Sequence, residues 1–341
     1  MERRVLLAIT LSFLVLFLFQ RFVTPPPSDT RPQASPNTGA ATGTGVPVAQ
    51  SPKPAVVAPE PTAAPSAPTP SVSLTVGDAN ERTITVETET VRAVFTNRGA
   101  RLVKWVLKGY RGEGAGELDL VPSGPGETAT KPFSLNVDDP AHTQALNAAL
   151  YRVDGVSGDS VVAGGKPVTL QFEMATAEGL TAHKTFTLQP IGYVISFGVA
   201  IHLKQQQLNP QVQWGPGLGD EIARTPPPSF FTPAYNTPAQ AILHKDDSAE
   251  RPASPGGQNG AFLYAGVNDQ YFASLLLNDR SAPAPFHFEH GPTLVPYGSD
   301  PSMVGHYENY SIRFGSPLEA MRFFFGPKAF DELRAIDPEL V

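Results

Sequence analysis

The sequence predicts an all-β protein, a sandwich or barrel of antiparallel strands, carried behind an N-terminal transmembrane helix and a disordered tether. Three observations lead there. From Ser71 onward, short alternating or wholly apolar runs rich in β-branched and aromatic residues recur along the chain. Gly, Pro, Asn and Asp punctuate these runs, in a pattern of many strands and frequent turns that differs from alternating βαβ units. No repeat of fixed period is visible, which argues against a propeller or solenoid.

The first element is residues 1–23. Val5 to Phe19 reads VLLAITLSFLVLFLF, and twelve of these fifteen residues are Leu, Ile, Val or Phe. Extended to Val23, the run would make about 28 Å of helix, close to the ~30 Å hydrocarbon core of a bilayer. Val5, Leu11 and Phe19 mark its start, middle and end. Arg3 and Arg4 precede it, so the positive-inside rule places the N-terminus in the cytoplasm and the following domain on the extracytoplasmic side. Gln20-Arg21-Phe22-Val23-Thr24 and the prolines after it lack the small residues of a signal-peptidase site, so the segment is expected to stay as an anchor in the lipid bilayer.

Residues 24–72 form the second element. Thr24 to Pro70 holds 13 prolines among 47 residues, the rest mostly Ala, Ser, Thr, Gly and Val. Such a stretch lacks backbone donors and large apolar side chains, so it is expected to act as an extended polyproline-rich spacer.

Residues 73–341 are the third element, expected as one domain of two large antiparallel sheets. Strand-like runs include Arg82–Glu87, Val91–Thr96, Leu102–Leu107, Val168–Met174 and His183–Leu188. Tyr193–Leu203 and Tyr271–Leu277 are longer and more apolar. Pro216–Gly219, Pro226–Pro228 and Ser248–Asn259 read as long loops. Near the C-terminus, Ser316-Pro317-Leu318-Glu319 has the form of a helix capping box, yet Met321–Phe325 suits a strand better. A strand to Phe325 is expected, then a short helix from near Pro327 with Phe330, Leu333 and Ile336 on one face.

Composition excludes several chemistries. The formal charge of −7 leaves no basic footprint for nucleic acid, and zero cysteines exclude disulfides, thiolate metal sites and Cys nucleophiles. No P-loop, dinucleotide fingerprint, GxSxG elbow or HExxH occurs, so no catalytic, cofactor-binding or metal residue is assigned. His287-Phe288-Glu289-His290 comes nearest to a site, but on a strand His287 and Glu289 share one face while His290 takes the other. Asp138-Asp139 and Asp246-Asp247 read as solvated turns. Trp105 and Trp214 could line a carbohydrate groove, although Trp105 sits in an apolar run that suits a core.

Four segments, in order behind the anchor, resemble the YidC membrane protein insertase family of bacteria. Thr85–Tyr110 resembles the opening strands of its periplasmic domain, and Leu180–Tyr193 (LTAHKTFTLQPIGY) a central stretch of it. Gly266–Leu276 (GVNDQYFASLL) is similar to a segment carrying Gly266, Gln270, Tyr271 and Phe272. Phe324–Leu333 (FFGPKAFDEL) is similar to the closing strand and helix, with Gly326, Pro327 and Lys328. The resemblance implies a β-supersandwich like that of galactose mutarotase, a bacterial inner-membrane location, and translocon subunits and nascent membrane proteins as partners. It implies structural roles for the motif residues and no enzymatic activity. In the family a hydrophobic helix bundle performs insertion, but no second bilayer-length apolar run follows Val23. The chain is therefore expected not to insert proteins alone, and a separate chain is a candidate source of the bundle. The mutarotase likeness also implies an alternative, a carbohydrate-binding or carbohydrate-modifying protein, recognisable by a pocket gathering His, Glu and Trp with two converging titratable groups.

Overall fold

The structure, a computed structural model, describes residues 73–111, 116–122, 130–156, 158–219, 240–245, 248–296 and 304–340. The expected anchor with Val5, Leu11 and Phe19 lies outside them, as do residues 24–72 and the loops at Pro226–Pro228 and Asp246-Asp247. All described residues belong to the unit Ser66–Val341. In chain order the strands are β1 Leu74–Val76, β2 Thr83–Glu87, β3 Val91–Thr96, β4 Arg101–Arg111, β5 Glu117–Asp119, β6 Ser134–Asn136 and β7 Arg152–Asp154. There follow β8 Ser160–Val162, β9 Val168–Thr176, β10 Leu180–Leu188, β11 Val194–Leu203, β12 Gln206–Leu208, β13 Gln211–Trp214 and β14 Gln240–Lys245. The last seven are β15 Ser248–Glu250, β16 Gly256–Gly260, β17 Tyr264–Asn268, β18 Phe272–Leu277, β19 Phe286–Pro296, β20 Val304–Phe314 and β21 Met321–Pro327. Two helices, α1 Pro140–Ala148 and α2 Phe330–Ile336, complete the described elements with a 3-10 turn at Pro338–Leu340.

Three sheets form, where two were expected. The first and largest runs β1-β9-β10-β11-β21-β18-β17-β14-β15, with β12 on β11 and β7 on β9. The second is β16-β19-β20-β13-β6, and the third β5-β4-β3-β2-β8. Pairing is antiparallel throughout the described residues except where β2 meets β8. Strands β9 and β10 alternate buried and exposed positions, as a sheet with one wet face must. Along β17, by contrast, every residue is buried, and β18 and β21 are buried at nearly every position. These centre strands read in sequence as continuous apolar runs because both their faces are covered.

Aromatic side chains join the sheets. Phe133, buried just before β6, packs its ring against Phe186, Phe197, Phe323 and Phe325 of the first sheet, with centroids 4.7–5.8 Å apart. Trp105 of the third sheet donates its indole N–H to the Phe325 carbonyl at 2.7 Å. Trp214 of the second sheet lies 4.2 Å from the Phe325 ring, and Ser274 Oγ meets Tyr310 Oη at 2.9 Å. Both tryptophans are therefore core residues, 1% and 3% exposed, and neither indole is free to stack on a sugar.

One charged side chain lies at the same junction. Lys184 on β10 is fully buried, and its ammonium donates to the carbonyls of Gly99 at 2.7 Å, Phe133 at 2.8 Å and Ala100 at 3.2 Å. The three acceptors come from the turn before β4 and the segment before β6, so Lys184 binds all three sheets together. Two of the acceptor residues, Ala100 and Phe133, have positive φ of 47° and 66°, a conformation costly for a side chain. Burial, reinforced by the nearby Arg101 guanidinium, pushes the Lys184 amine well below its ordinary value. Three carbonyls and the face of the Tyr151 ring, 5.8 Å away, favour the charged form against that desolvation.

The structure revises four local expectations. Asp138-Asp139 is no bare turn: Asp139 caps α1, accepting from the N–H groups of Ala141 at 2.7 Å and His142 at 3.1 Å, and Asp138 pairs with Arg313 at 2.8 Å. The helix escapes sequence reading because only Leu146 of its nine residues is buried, so it shows no apolar stripe. Ser248–Asn259, expected as loop, contributes β15 and most of β16, which are largely polar and Gly-containing. The closing strand runs on through Gly326 to Pro327, and α2 begins three residues later than expected, at Phe330. Residues 316–319 form no helix, in line with the strand reading of that region.

Candidate functional site

The segments Gly266–Leu277 and Phe323–Leu333 lie side by side. Strand β18 pairs with β17 on one side and β21 on the other, which brings Phe272 opposite Pro327 and Ala273 opposite Gly326. Asp269 closes the β17–β18 turn, its Oδ1 accepting from the N–H groups of Tyr271 and Phe272, both at 2.6 Å. Burial raises the Asp269 carboxyl, while those two N–H groups and the Lys328 charge act in the opposite direction. Lys328 staples this turn twice. Its backbone N–H donates to the Tyr271 carbonyl at 2.6 Å and its amine to the Asp269 carbonyl at 3.0 Å. Gln270 stays exposed within the turn.

Close approach explains the two motif glycines. A Cβ on Gly266 would collide with the Ser274 carbonyl oxygen and stand 2.9 Å from the Leu275 Cα, all backbone that cannot swing aside. At Gly326 it would stand 2.7 Å from Cβ and Cγ of Tyr193. We expect Gly266→Ala to cost about 1–3 kcal/mol, the usual penalty for overpacking, because β17 and β18 must part to admit the methyl. Urea unfolding checks this; a loss below about 0.5 kcal/mol, the range of a neutral surface change, would show that the strands yield freely.

Beside the motif lies a cavity of about 460 Å³, walled by β14, β15, β17, β18, α2 and the 3-10 turn. Its aliphatic lining includes Ile242, Ala273, Leu275, Leu333 and Leu340. Its polar lining includes His244, Asn268, Arg251 and Lys328, with the Tyr264 ring 5.1 Å from His244. His244 and Asn268 are only 4% and 5% exposed, and neither His244 Nδ1 nor Asn268 Oδ1 has a hydrogen-bond partner. Sequence reasoning missed this group, since His244 and Asn268 stand alone in the sequence and Arg251 falls in a stretch read as loop. Only Lys328 carried a signal, through its motif.

A second cleft, of about 340 Å³, lies over the second sheet and does gather Trp214, Glu289 and His290. Strand alternation separates the two titratable groups. Glu289 shares the outer face with Ser311 and Gln213, its cross-strand neighbours, and accepts from the Gln211 amide at 2.9 Å. His290 turns inward beside Phe288, with Nδ1 2.6 Å from Glu308 Oε1. The pocket expected of an enzyme is thus present in composition, but Glu289 and His290 leave opposite faces of β19, and Glu308, the carboxylate that His290 meets, does not line this cleft. The described residues contain no group of three or more His, Asp or Glu placed to hold a metal ion. No described helix is long and apolar enough to cross a membrane.

Among solved structures, a candidate aldose 1-epimerase of Escherichia coli K12 is similar over 73% of this chain and 100% of its own, at 9% identity and a TM-score of 0.38. A 4-alpha-glucanotransferase of Thermococcus litoralis is similar over 74% of this chain and 39% of its own, at 13% identity and a TM-score of 0.37. Among curated proteins, the membrane protein insertase YidC of Geotalea uraniireducens is 24% identical over 98% of this chain and 59% of its own length. That of Pelobacter propionicus is 25% identical over 98% and 58%. The chain thus spans just under three fifths of the curated relatives it matches. A family model described as the YidC periplasmic domain matches residues 83–341. The chain therefore belongs to the YidC periplasmic domain family.

Proposed function

We propose that this chain is the anchored periplasmic part of a YidC-type membrane protein insertase, which assists insertion and folding of inner-membrane proteins by binding translocon subunits or nascent chains. It acts as a binding scaffold, with no catalysis of its own. The motif residues Gly266, Gln270, Tyr271, Phe272, Gly326, Pro327 and Lys328 shape the surface it offers, and Val5–Phe19 holds the domain at the inner membrane as a single pass, N-terminus inside. The observation that carries the reading is the exposure of Tyr271 at 48% and Phe330 at 59%, aromatic side chains carried by the two motif segments. Buried neighbours dominate this end of the sheet, so large apolar groups left in water there suit a partner surface.

A photo-crosslinking amino acid at Phe330 or Tyr271 tests it in cells. We expect adducts with membrane proteins during their synthesis, and none from the same probe at Val162, which is 70% exposed on the third sheet. Equal capture from all three positions would remove the reading. A topology reporter after Val341 should be active only in the periplasm.

The carbohydrate reading is favoured by one observation, the polar outer face where Gln211 donates to Glu289 and to Ser311 at 2.6 Å inside the 340 Å³ cleft. Titration with galactose and glucose decides it: saturable binding lost in Gln211→Ala would support a sugar site.

A further inference from the structure

The 460 Å³ cavity beside α2 has a definite chemical character. Two cations stand at it without a carboxylate partner among the described residues. Arg251 donates to the neutral Gln240 side chain, and Lys328 to a backbone carbonyl. Burial lowers the Lys328 amine, the Asp269 carboxylate opposes that, and the Arg251 charge lowers it further. An anion bound between them would relieve that repulsion. Deeper in, Asn268 Oδ1 calls for a donor and His244 Nδ1 for a polar partner, and both are buried without one. Around these, Ile242, Ala273, Leu275 and Leu333 offer an aliphatic wall.

We propose that this cavity binds the end of a polypeptide, taking the terminal carboxylate between Arg251 and Lys328, a backbone N–H on Asn268 and an aliphatic side chain against Leu275 and Leu333. The size suits such a ligand, since small-molecule sites commonly span about 300–1,000 Å³. A carboxylate accepts well from a guanidinium and an ammonium together. A phosphodiester headgroup would satisfy the same two cations. Its phosphate and ester oxygens are acceptors only, so Asn268 Oδ1 would depend on a headgroup hydroxyl or ammonium for its donor, and the headgroup brings no backbone N–H held next to the anion. A peptide terminus supplies the anion, the N–H and the aliphatic group at once. The site does not depend on the insertase reading, because any peptide with this terminus would fill it.

The test uses the full chain in mild detergent and dye-labelled Ala-Ala-Leu, as the free acid and as the C-terminal amide, followed by fluorescence anisotropy. The free acid should bind saturably and about tenfold or more tighter than the amide, as loss of a charge-assisted contact requires. Arg251→Gln and Lys328→Gln should each weaken the acid about tenfold and leave the amide unchanged. Ala249→Trp, an exposed position on β15 opposite His244, should fill the mouth and abolish binding without moving the melting temperature. Equal affinity for acid and amide would overturn the proposal, and so would absence of binding up to about 10 mM peptide, weaker than any useful recognition. Soluble dihexanoyl phosphatidylglycerol serves as competitor. If it binds in the cavity more tightly than the peptide acid, the site is a phosphate-headgroup site and the peptide assignment is wrong.

Discussion

Lys184→Met should lower the stability of the domain by about 2–5 kcal/mol, because three buried carbonyls lose their donor at once. Each orphaned carbonyl costs on the order of 1–3 kcal/mol. The total falls short of three full penalties, since methionine also removes a charge that was expensive to bury. The carbonyls in question belong to Gly99, Ala100 and Phe133, two of them held at positive φ. Without the ammonium, the turn before β4 and the segment before β6 would relax, and the packing of all three sheets at Phe133 would loosen with them. The pH dependence gives a second readout. Burial and Arg101 hold the folded-state pKa of Lys184 well below the unfolded value of 10.5. Between those two values the unfolded chain binds a proton that the folded chain does not, so this group makes stability rise with pH across that window and adds nothing above it. The wild-type protein should therefore gain on Lys184→Met up to a limit near 10.5 as the medium is made alkaline. Urea melts at neutral pH and at about pH 9.5 check both parts; a loss under about 0.5 kcal/mol at neutral pH would mean the carbonyls find water or other donors.

Lys184 also shows where sequence reading succeeds and where it stops. The run His183–Leu188 is legible as a strand from its period of two, and β10 indeed spans Leu180–Leu188. The same period puts Lys184 in phase with Ala182, Phe186 and Leu188 on the buried face, but nothing local announces that carbonyls 51 to 85 positions upstream supply its partners. The same limit hid the sheet count. Strands β2–β4, β9–β11 and β18 each follow from alternation or apolarity, whereas β17, with its Gly and Asn, carries no such signal and the joining of β21 between β11 and β18 is a long-range choice. Short polar strands such as β15 and β16 carry no apolar signal, since their positions are mostly exposed. The cavity was the least legible feature. His244, Arg251, Asn268 and Lys328 come from four separate stretches, and only folding sets them around one space.

Leu333→Ala and Phe330→Ala should have opposite consequences, although both residues were expected on one face of the closing helix. Leu333 is 6% exposed and belongs to the core, whereas Phe330 is 59% exposed; Ile336 lies between, partly packed. The helix starts at Phe330, later than the pattern suggested, so Phe330 is its first residue and Leu333, one turn on, is the buried one. The Arg334 guanidinium lies over the ring, 5.8 Å from its centroid. Truncating Leu333 removes a buried aliphatic side chain and leaves a gap that opens onto the neighbouring cavity, so a loss of about 2–5 kcal/mol is expected. Truncating Phe330 removes surface already in water, and stability should move by no more than about 0.5 kcal/mol. Partner capture should behave the other way round when measured with a crosslinker at Tyr271. Phe330→Ala should reduce the yield at unchanged melting temperature, because an exposed aromatic anchor contributes to association and little to folding. Leu333→Ala should reduce it only in proportion to the fraction unfolded. If Phe330→Ala leaves capture intact while Leu333→Ala abolishes it below the melting transition, the partner surface is the underside of the helix, and Phe330 is an incidental exposure.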